Sequence, residues 1–325
     1  MTQSPQATSP FRIVRQGDPL PPSLRGAVVA IGNFDGVHRG HRAVIATALD
    51  RARAMSAPAL ALTFEPHPRS YFRADVPLFR LTDADAKLRL LAATGLDGAI
   101  VLDFDATLAA HSAEEFIGRI LVERLGVRGV AVGFDFHFGR GRQGSPAFLA
   151  EQGARHGIAV DIVAPKEDEG RPVSSTAIRA ALGEGRVVEA AELLGYPWFV
   201  SGPVIHGEKR GRDLGFPTAN IRLDPACGLK HGIYAVRVGI DGKRYDGVAS
   251  FGRRPTFDNG APLLEVFLFD FAGDLYGRTL DVAFLGWIRP ELKFDGLDAL
   301  VARMNEDSAL ARAALARSPQ AFPPI

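Results

Sequence analysis

Ala27-Val28-Val29-Ala30-Ile31-Gly32-Asn33-Phe34-Asp35-Gly36-Val37-His38-Arg39-Gly40-His41 is the stretch that decides the fold. Its first five residues are an apolar run with the length and composition of a buried strand. Glycines interrupt it, and a helix is expected from about His38 to Ala54. Glycines in such a turn let backbone N–H groups approach an anion, and the helix start adds roughly half a positive charge. His38 and His41 lie three apart and share a face of the first helical turn. Two imidazoles above a phosphate suit charge that develops on a transferring phosphoryl group. The alternative is a surface turn with incidental histidines.

Outward from this stretch the same alternation repeats. Strands are expected at Ala59–Phe64, Gly98–Leu102, Gly129–Phe134 and Ile158–Val163. Helices are expected at Asp83–Thr94 (Leu88, Leu91 and Ala92 on one face), Ser112–Leu125 and Pro146–His156. Strand and helix in alternation predict a parallel sheet wrapped by helices, with ligands at the carboxyl ends of the strands. After about residue 198 the pattern changes. Val200–Ile205, Gly232–Ile240, Arg244–Phe251, Leu263–Phe271 and Thr279–Leu285 read as strands without intervening helices, Asp241-Gly242 as a hairpin turn, and Leu297–Ala316 as a helix. An antiparallel barrel closed by a C-terminal helix follows. Gly183–Trp198 is helical in pattern and ends at Gly195-Tyr196-Pro197. The expected division is therefore 12–185, a linking helix at 186–198, and a second domain at 199–320.

Composition sets the outer limits. A chain of 325 residues exceeds the usual span of one core. A net charge of +1 provides no global field for nucleic acid or an anionic membrane, although the basic residues are mostly Arg. The one cysteine, Cys227, can form no internal disulfide, and the N-terminus lacks the basic start and apolar run of a signal peptide. No stretch approaches the ~18 apolar residues of a spanning helix. The expectation is a soluble cytoplasmic protein.

The element His38-Arg39-Gly40-His41 after a first strand resembles the His-x-Gly-His signature of the nucleotidyltransferase superfamily. Ser174-Ser175-Thr176-Ala177-Ile178-Arg179 resembles its second motif; alone, that segment is a good helix N-cap. Thr63-Phe64-Glu65-Pro66-His67-Pro68, Val132–Gly139 and Gly139–Ser145 match one branch of that superfamily, each after an expected strand. The aromatic run Phe134–Phe138 suits a flat ring system, or in part a strand end packing into the core. His111 and His156 have no comparable context.

The second half carries Gly207-Glu208-Lys209-Arg210-Gly211-Arg212-Asp213-Leu214-Gly215-Phe216-Pro217-Thr218-Ala219-Asn220. A basic, glycine-bearing loop suits a polyphosphate; a solvated basic hairpin is the alternative. Thr218 and Asn220, two apart on an extended segment, point to one side with oxygens appropriate to Mg²⁺ held jointly with phosphates. Gly215–Asn220 resembles the Pro-Thr-Ala-Asn motif of riboflavin kinases. Gly232-Ile233-Tyr234-Ala235, Gly252–Phe257 and Leu264-Glu265-Val266 through Tyr276-Gly277 match its other blocks in order. From about residue 12 to 315 the chain resembles the bacterial bifunctional riboflavin kinase/FAD synthetase family.

That resemblance implies two reactions and their sites. In the C-terminal domain ATP phosphorylates riboflavin to FMN, with Glu265 as general base. Thr218 and Asn220 contact magnesium and phosphate; Gly207, Lys209, Gly211 and Arg212 hold ATP; Arg254, Thr256 and Phe257 hold the flavin. In the N-terminal domain FMN attacks a second ATP, giving FAD and pyrophosphate. There His38, His41 and Arg179 are catalytic, Gly32, Asn33, Phe34, Asp35, Gly40, Ser174, Ser175 and Thr176 hold ATP, and Phe64, Pro66, His67, Asp135 and Phe138 hold FMN. The chemistry agrees: a sugar hydroxyl benefits from a base, whereas an anionic phosphate needs only positioning and charge stabilisation. Glu265 as a mere edge-strand charge is the alternative. The chain departs from the family at Ser250-Phe251, where Asn-Ile is frequent, and at Asp135, where Asn occurs. A chain with one decayed domain and a non-catalytic flavin sensor are the rivals; intact motifs in both halves, including Glu265 and the paired histidines, speak against them.

Overall fold

The computed structural model describes residues 10–168, 170–206, 215–253 and 262–325. The described residues form two compact units: one within Met1–Leu78 and Asp83–Val173, with Ile325, the other within Phe79–Thr82 and Ser174–Pro324.

The first unit is the expected α/β layer structure. Its strands are β1 (Arg12–Arg15), β2 (Val28–Ile31), β3 (Ala59–Glu65), β4 (Gly98–Asp103), β5 (Gly129–Gly133) and β6 (Ala159–Val163). They form one sheet in the order β1-β4-β3-β2-β5-β6, every pair parallel. A short antiparallel pair follows, β7 (Glu167–Asp168) with β8 (Arg171–Pro172). Helices α1 (Arg39–Met55), α2 (Pro68–Phe72), α3 (Ala84–Ala92), α4 (Ala106–Ala110), α5 (Ala113–Glu115) and α6 (Pro146–Arg155) lie between the strands. β2 and β3 are buried throughout or nearly so, as strands covered on both faces must be.

Side-chain caps explain where the helices begin. Asp83, Asp105, Ser112 and Ser145 each accept a backbone N–H from the first turn of the helix that follows. Ser112 and Glu115 form a reciprocal capping box. The expected helix Ser112–Leu125 exists, but after Glu115 it continues as π-helical turns over Phe116–Arg124. Its buried side, Phe116, Ile117, Ile120 and Leu121, joins a core with Val29, Ile31, Leu62 and Leu102.

The chain order of the strands reverses direction across β2. From β2 the chain runs outward through β3 and β4, then returns to place β5 on the other side. The carboxyl ends of β2 and β5 therefore flank the switch point, where open α/β sheets form their ligand crevice. Gly32–His41 leaves β2 there.

The second unit contains α7 (Ser175–Gly183), α8 (Val187–Leu194), six strands and a final helix α9 (Leu297–Ala316). The strands are β9 (Phe199–Ile205), β10 (Thr218–Arg222), β11 (Gly232–Ile240), β12 (Lys243–Arg253), β13 (Pro262–Leu268) and β14 (Thr279–Arg289). They close as an antiparallel barrel in the order β10-β13-β12-β11-β14-β9. The expected helical stretch Gly183–Trp198 holds α8, which ends on Gly195 in the left-handed conformation with φ 83°. Ala311 and Leu315 of α9 pack against Ala235 and Phe269 on the barrel's outer face.

Candidate active sites

The first site is built by the turn after β2. Phe34 and Asp35 are buried, and Val37 takes a left-handed backbone with φ 35°, a strained conformation for a β-branched residue. The turn delivers His38 to the N-cap of α1, where its Nδ1 accepts the backbone N–H of His41 at 3.3 Å. An accepting Nδ1 is unprotonated, so in neutral His38 the proton sits on Nε2. The rings of His38 and His41 stack with centroids 3.6 Å apart and planes 18° from parallel, and Phe34 meets His41 edge-on at 5.4 Å. Gly40 leaves little room between them. A Cβ there would lie 3.1 Å from the His38 ring and 3.3 Å from the Val173 carbonyl.

Burial holds the pKa of His41 well below its usual value of 6.5, reinforced by the charges of His38, Lys87 and His67. Its imidazole is therefore neutral at neutral pH. His41 Nδ1 is buried and has no hydrogen-bond partner among the described residues. A phosphate reaching this end of the sheet meets ring N–H donors, the start of α1, and a glycine-bearing turn.

The end of β3 forms one wall. Thr63 donates its hydroxyl to the Asn33 carbonyl at 3.2 Å. His67 caps α2, its Nδ1 accepting the Arg69 N–H at 3.1 Å. Beyond it, Phe64, Tyr71, Phe72 and Phe104 form an edge-to-face aromatic cluster, with Phe72 65% exposed. Of the run after β5, Asp135 and Phe134 are exposed, whereas Phe138 is buried between Phe116 and Phe136. The core reading thus holds for Phe138 and an open face for Phe134. His156 is exposed, and His111 bonds the Thr107 carbonyl through Nδ1.

Sequence reading overlooked Lys87, which is 1% exposed. Its ammonium pairs with Glu65 Oε1 at 2.6 Å. The signal was present: Lys87 precedes Leu90 and Leu91 by three and four residues, which sets it on the apolar face of α3. Tyr71 and Phe72 also escaped, because α2 is five residues long and has no period to recognise, as did Phe104 in the loop after β4.

In the second unit Ser174 caps α7, accepting the Ala177 N–H at 3.2 Å, so its hydroxyl serves the helix start. Ser175 is half-buried and Thr176 exposed. Arg179, one turn on, donates Nε–H to the Phe79 carbonyl.

The barrel site is set by strand register. β10 places Asn220 directly opposite Glu265 of β13 and Thr218 opposite Phe267. On its other side Glu265 faces Ser250 of β12. Facing residues of an antiparallel pair share one face of the sheet, so Asn220, Glu265 and Ser250 form a row across three strands. Along β13, Leu264, Val266 and Leu268 are buried while Glu265 is half-buried on the opposite face. The carboxylate thus stays out of the barrel core, and Asn220 beside it is 5% exposed. Ser250, at one of the family departures, is a neighbour of the carboxylate. Gly207, Lys209, Gly211, Arg212, Arg254, Thr256 and Phe257 lie outside the described residues. Among the described residues, no three His, Cys, Asp or Glu side chains are grouped to hold a metal, and no helix is long and apolar enough to cross a membrane.

Comparison with known proteins finds a separate family match in each half of the chain. The family model for FAD synthetase matches residues 20–177, and that for riboflavin kinase residues 194–315. The chain is 43% identical to the bifunctional riboflavin kinase/FMN adenylyltransferase of Pseudomonas fluorescens over 95% of its own length and 99% of that protein. It is 42% identical to the protein of the same name from Escherichia coli K12, over 88% of this chain and 92% of that one. A crystal structure described as a macrolide-efflux protein from Streptococcus pneumoniae is similar throughout, with a TM-score of 0.82 and 34% identity over 92% of this chain and 98% of that one. With an α/β unit bearing the histidine pair, a barrel bearing Glu265, and full-length relatives of both kinds joined, the chain belongs to the bifunctional riboflavin kinase/FMN adenylyltransferase family.

Proposed function

We propose that the two sites work in succession, the product of the barrel feeding the α/β unit. Residues 199–320 form the riboflavin kinase domain and residues 12–185 the FMN adenylyltransferase domain, linked by 186–198. In the kinase domain the Glu265 carboxylate takes the proton of the ribityl 5′-hydroxyl as its oxygen bonds to the γ-phosphorus of ATP, and ADP leaves. A general base of this kind contributes about 10²- to 10⁴-fold.

Thr218 and Asn220, two residues apart on β10, offer a hydroxyl and an amide oxygen, hard ligands that fit Mg²⁺ completed by phosphate oxygens. When bound, the ion neutralises phosphate charge. Gly207, Lys209, Gly211 and Arg212 are assigned to ATP, and Arg254, Thr256 and Phe257 to the flavin, on their sequence motifs.

In the α/β unit an oxygen of the FMN phosphate attacks the α-phosphorus of a second ATP, forming FAD and expelling pyrophosphate. No base is needed, because the nucleophile is already an anion. His38 and His41 donate to the triphosphate, with Gly32, Asn33, Phe34, Asp35 and Gly40 shaping the turn. Ser174, Ser175, Thr176 and Arg179 are assigned to the same nucleotide on their motif. Phe64, Pro66, His67, Asp135 and Phe138 are assigned to the FMN side, and the ring cluster of Tyr71, Phe72 and Phe104 is suited to stacking a flat heterocycle. The stacked histidine pair beside the switch point, with His41 held neutral by burial, carries this assignment. The working compartment is the cytoplasm, where ATP is abundant and Cys227 stays reduced.

The test is direct. Incubating the protein with riboflavin, ATP and Mg²⁺ and separating the flavins over time should show riboflavin giving FMN, then FAD. A preparation that makes no FMN rules out the kinase assignment, and one that cannot convert added FMN rules out the adenylyltransferase assignment.

A further inference from the structure

The ammonium of Lys87 meets groups at the carboxyl end of β3. Among them are Thr63 Oγ1 at 3.2 Å, the Phe64 carbonyl at 3.2 Å and Glu65 Oε1 at 2.6 Å. The Thr63 hydroxyl accepts from Lys87 and donates to the Asn33 carbonyl, in the turn that leads to His38. One buried cation thus ties α3 to the end of β3 and, through a single hydroxyl, to the turn after β2. As a source of stability this is a poor device, because desolvating the two charges offsets most of their attraction. An apolar side chain of the same length would join helix to sheet equally well. What the ammonium adds is direction: its donors fix where the Phe64 carbonyl and the Glu65 carboxylate lie, immediately before Pro66 and His67. It also stands among the charges acting on His41, which are His38 at the start of α1, His67 between β3 and α2, and Lys87 itself on α3. Glu65 on β3 is the counter-charge of Lys87.

We propose that Lys87 is a positioning residue for adenylyl transfer: it holds the end of β3 and the turn after β2 at the spacing in which the histidine pair receives the triphosphate. The proposal rests on the assignment of His38 and His41 to the adenylyltransferase site. Misplacement by about 1 Å at a group that orients reactants lowers rates by about 10²-fold, so the effect belongs in turnover rather than in nucleotide affinity.

The test uses the full chain, measuring FAD formation from FMN against ATP concentration and pH, with riboflavin phosphorylation by the same preparation as control. Lys87→Met is expected to lower kcat for FAD formation about 10- to 100-fold. KM for ATP should change less than about threefold, and kinase activity should stay at the wild-type rate. The acid limb of its pH profile moves to higher pH, because His41 loses a neighbouring cation. Glu65→Gln removes the counter-charge and leaves the cation, so the same limb moves to lower pH. A tie that only stabilises the fold would leave kcat of the folded variant at the wild-type value.

Wild-type kinetics and pH profile in Lys87→Met overturn the proposal, as does an equal loss of both activities in a folded protein. If Lys87→Met does not fold, Glu65→Gln decides: a limb that stays in place or moves upward overturns it. His41→Ala in the same assay separates the two levels. If it leaves FAD formation unchanged, the site assignment itself falls. If it abolishes FAD formation while Lys87→Met keeps the wild-type kcat, only the role of Lys87 falls.

Discussion

Asn220 and Glu265 stand directly opposite each other on neighbouring strands of the barrel, on the face turned away from its core. The pairing sets a carboxylate beside an amide in a row that ends at Ser250, and strand register alone fixes that spacing. A half-buried carboxylate in such a row is placed to take a proton. Glu265→Gln keeps the shape and removes the basicity. It should lower riboflavin phosphorylation by about 10²- to 10⁴-fold while FAD formation from added FMN continues. Chromatographic separation of the three flavins reads both activities in one sample, and an unimpaired kinase would remove Glu265 from the chemistry.

The histidine pair predicts the reverse pattern. His38→Ala deletes the N-cap of α1 as well as a donor, whereas His41→Ala deletes a donor alone. Loss of one donor aimed at developing charge lowers kcat by about 10²- to 10³-fold. Riboflavin should therefore still be phosphorylated, and FMN should accumulate. Because the ring of His38 stacks on that of His41, the double variant should lose less than the product of the two single losses. Strict multiplicativity would show that the rings act independently.

Protonation of His41 gives a third expectation, with its sign set by burial. The pKa in the folded protein lies below 6.5, whereas the unfolded chain keeps the ordinary value. Between those two values the unfolded state binds the extra proton, so stability falls as pH drops through 6.5 toward the folded pKa. Unfolding in urea, followed in the α/β unit at a series of pH values, should show this slope. His41→Gln should flatten it. A steeper slope in the variant would mean that His41 is not the residue kept neutral.

Where sequence and structure agree, periodicity is the reason. The apolar runs of β2 and β3 and the helix Leu297–Ala316 were legible because burial on both faces, or on one helical stripe, leaves a pattern in the residues themselves. β1 left none. It is four residues at the sheet edge with only Val14 buried, and its pairing to β4 is visible only in the fold. β10 was legible as an extended segment bearing Thr218 and Asn220, but not as the strand that brings Asn220 against Glu265, since register has no signature within one strand. Lys87 was overlooked because a lysine is ordinarily solvated, and only its helical spacing to Leu90 and Leu91 marks it as inward.

A buried ion pair in the barrel unit separates stability from chemistry. Arg289 of β14 and Asp307 of α9 are both buried, and the guanidinium donates Nε–H to Oδ1 at 2.8 Å and a second N–H to Oδ2. Asp307→Ala leaves a buried guanidinium without its counter-charge, and breaking such a pair from one side destabilises by about 3–5 kcal/mol. Replacing both partners by apolar residues of similar size, as in Arg289→Met with Asp307→Leu, should restore most of that loss, since the pair's attraction is largely offset by desolvation. Kinase activity should therefore disappear at lower urea in Asp307→Ala and return toward wild type in the double variant. FAD formation from added FMN should be lost at the same urea concentration in all three proteins. If the double variant is as unstable as the single, the ion pair is worth more than its desolvation, and α9 is held to the barrel by charge rather than by Ala311 and Leu315.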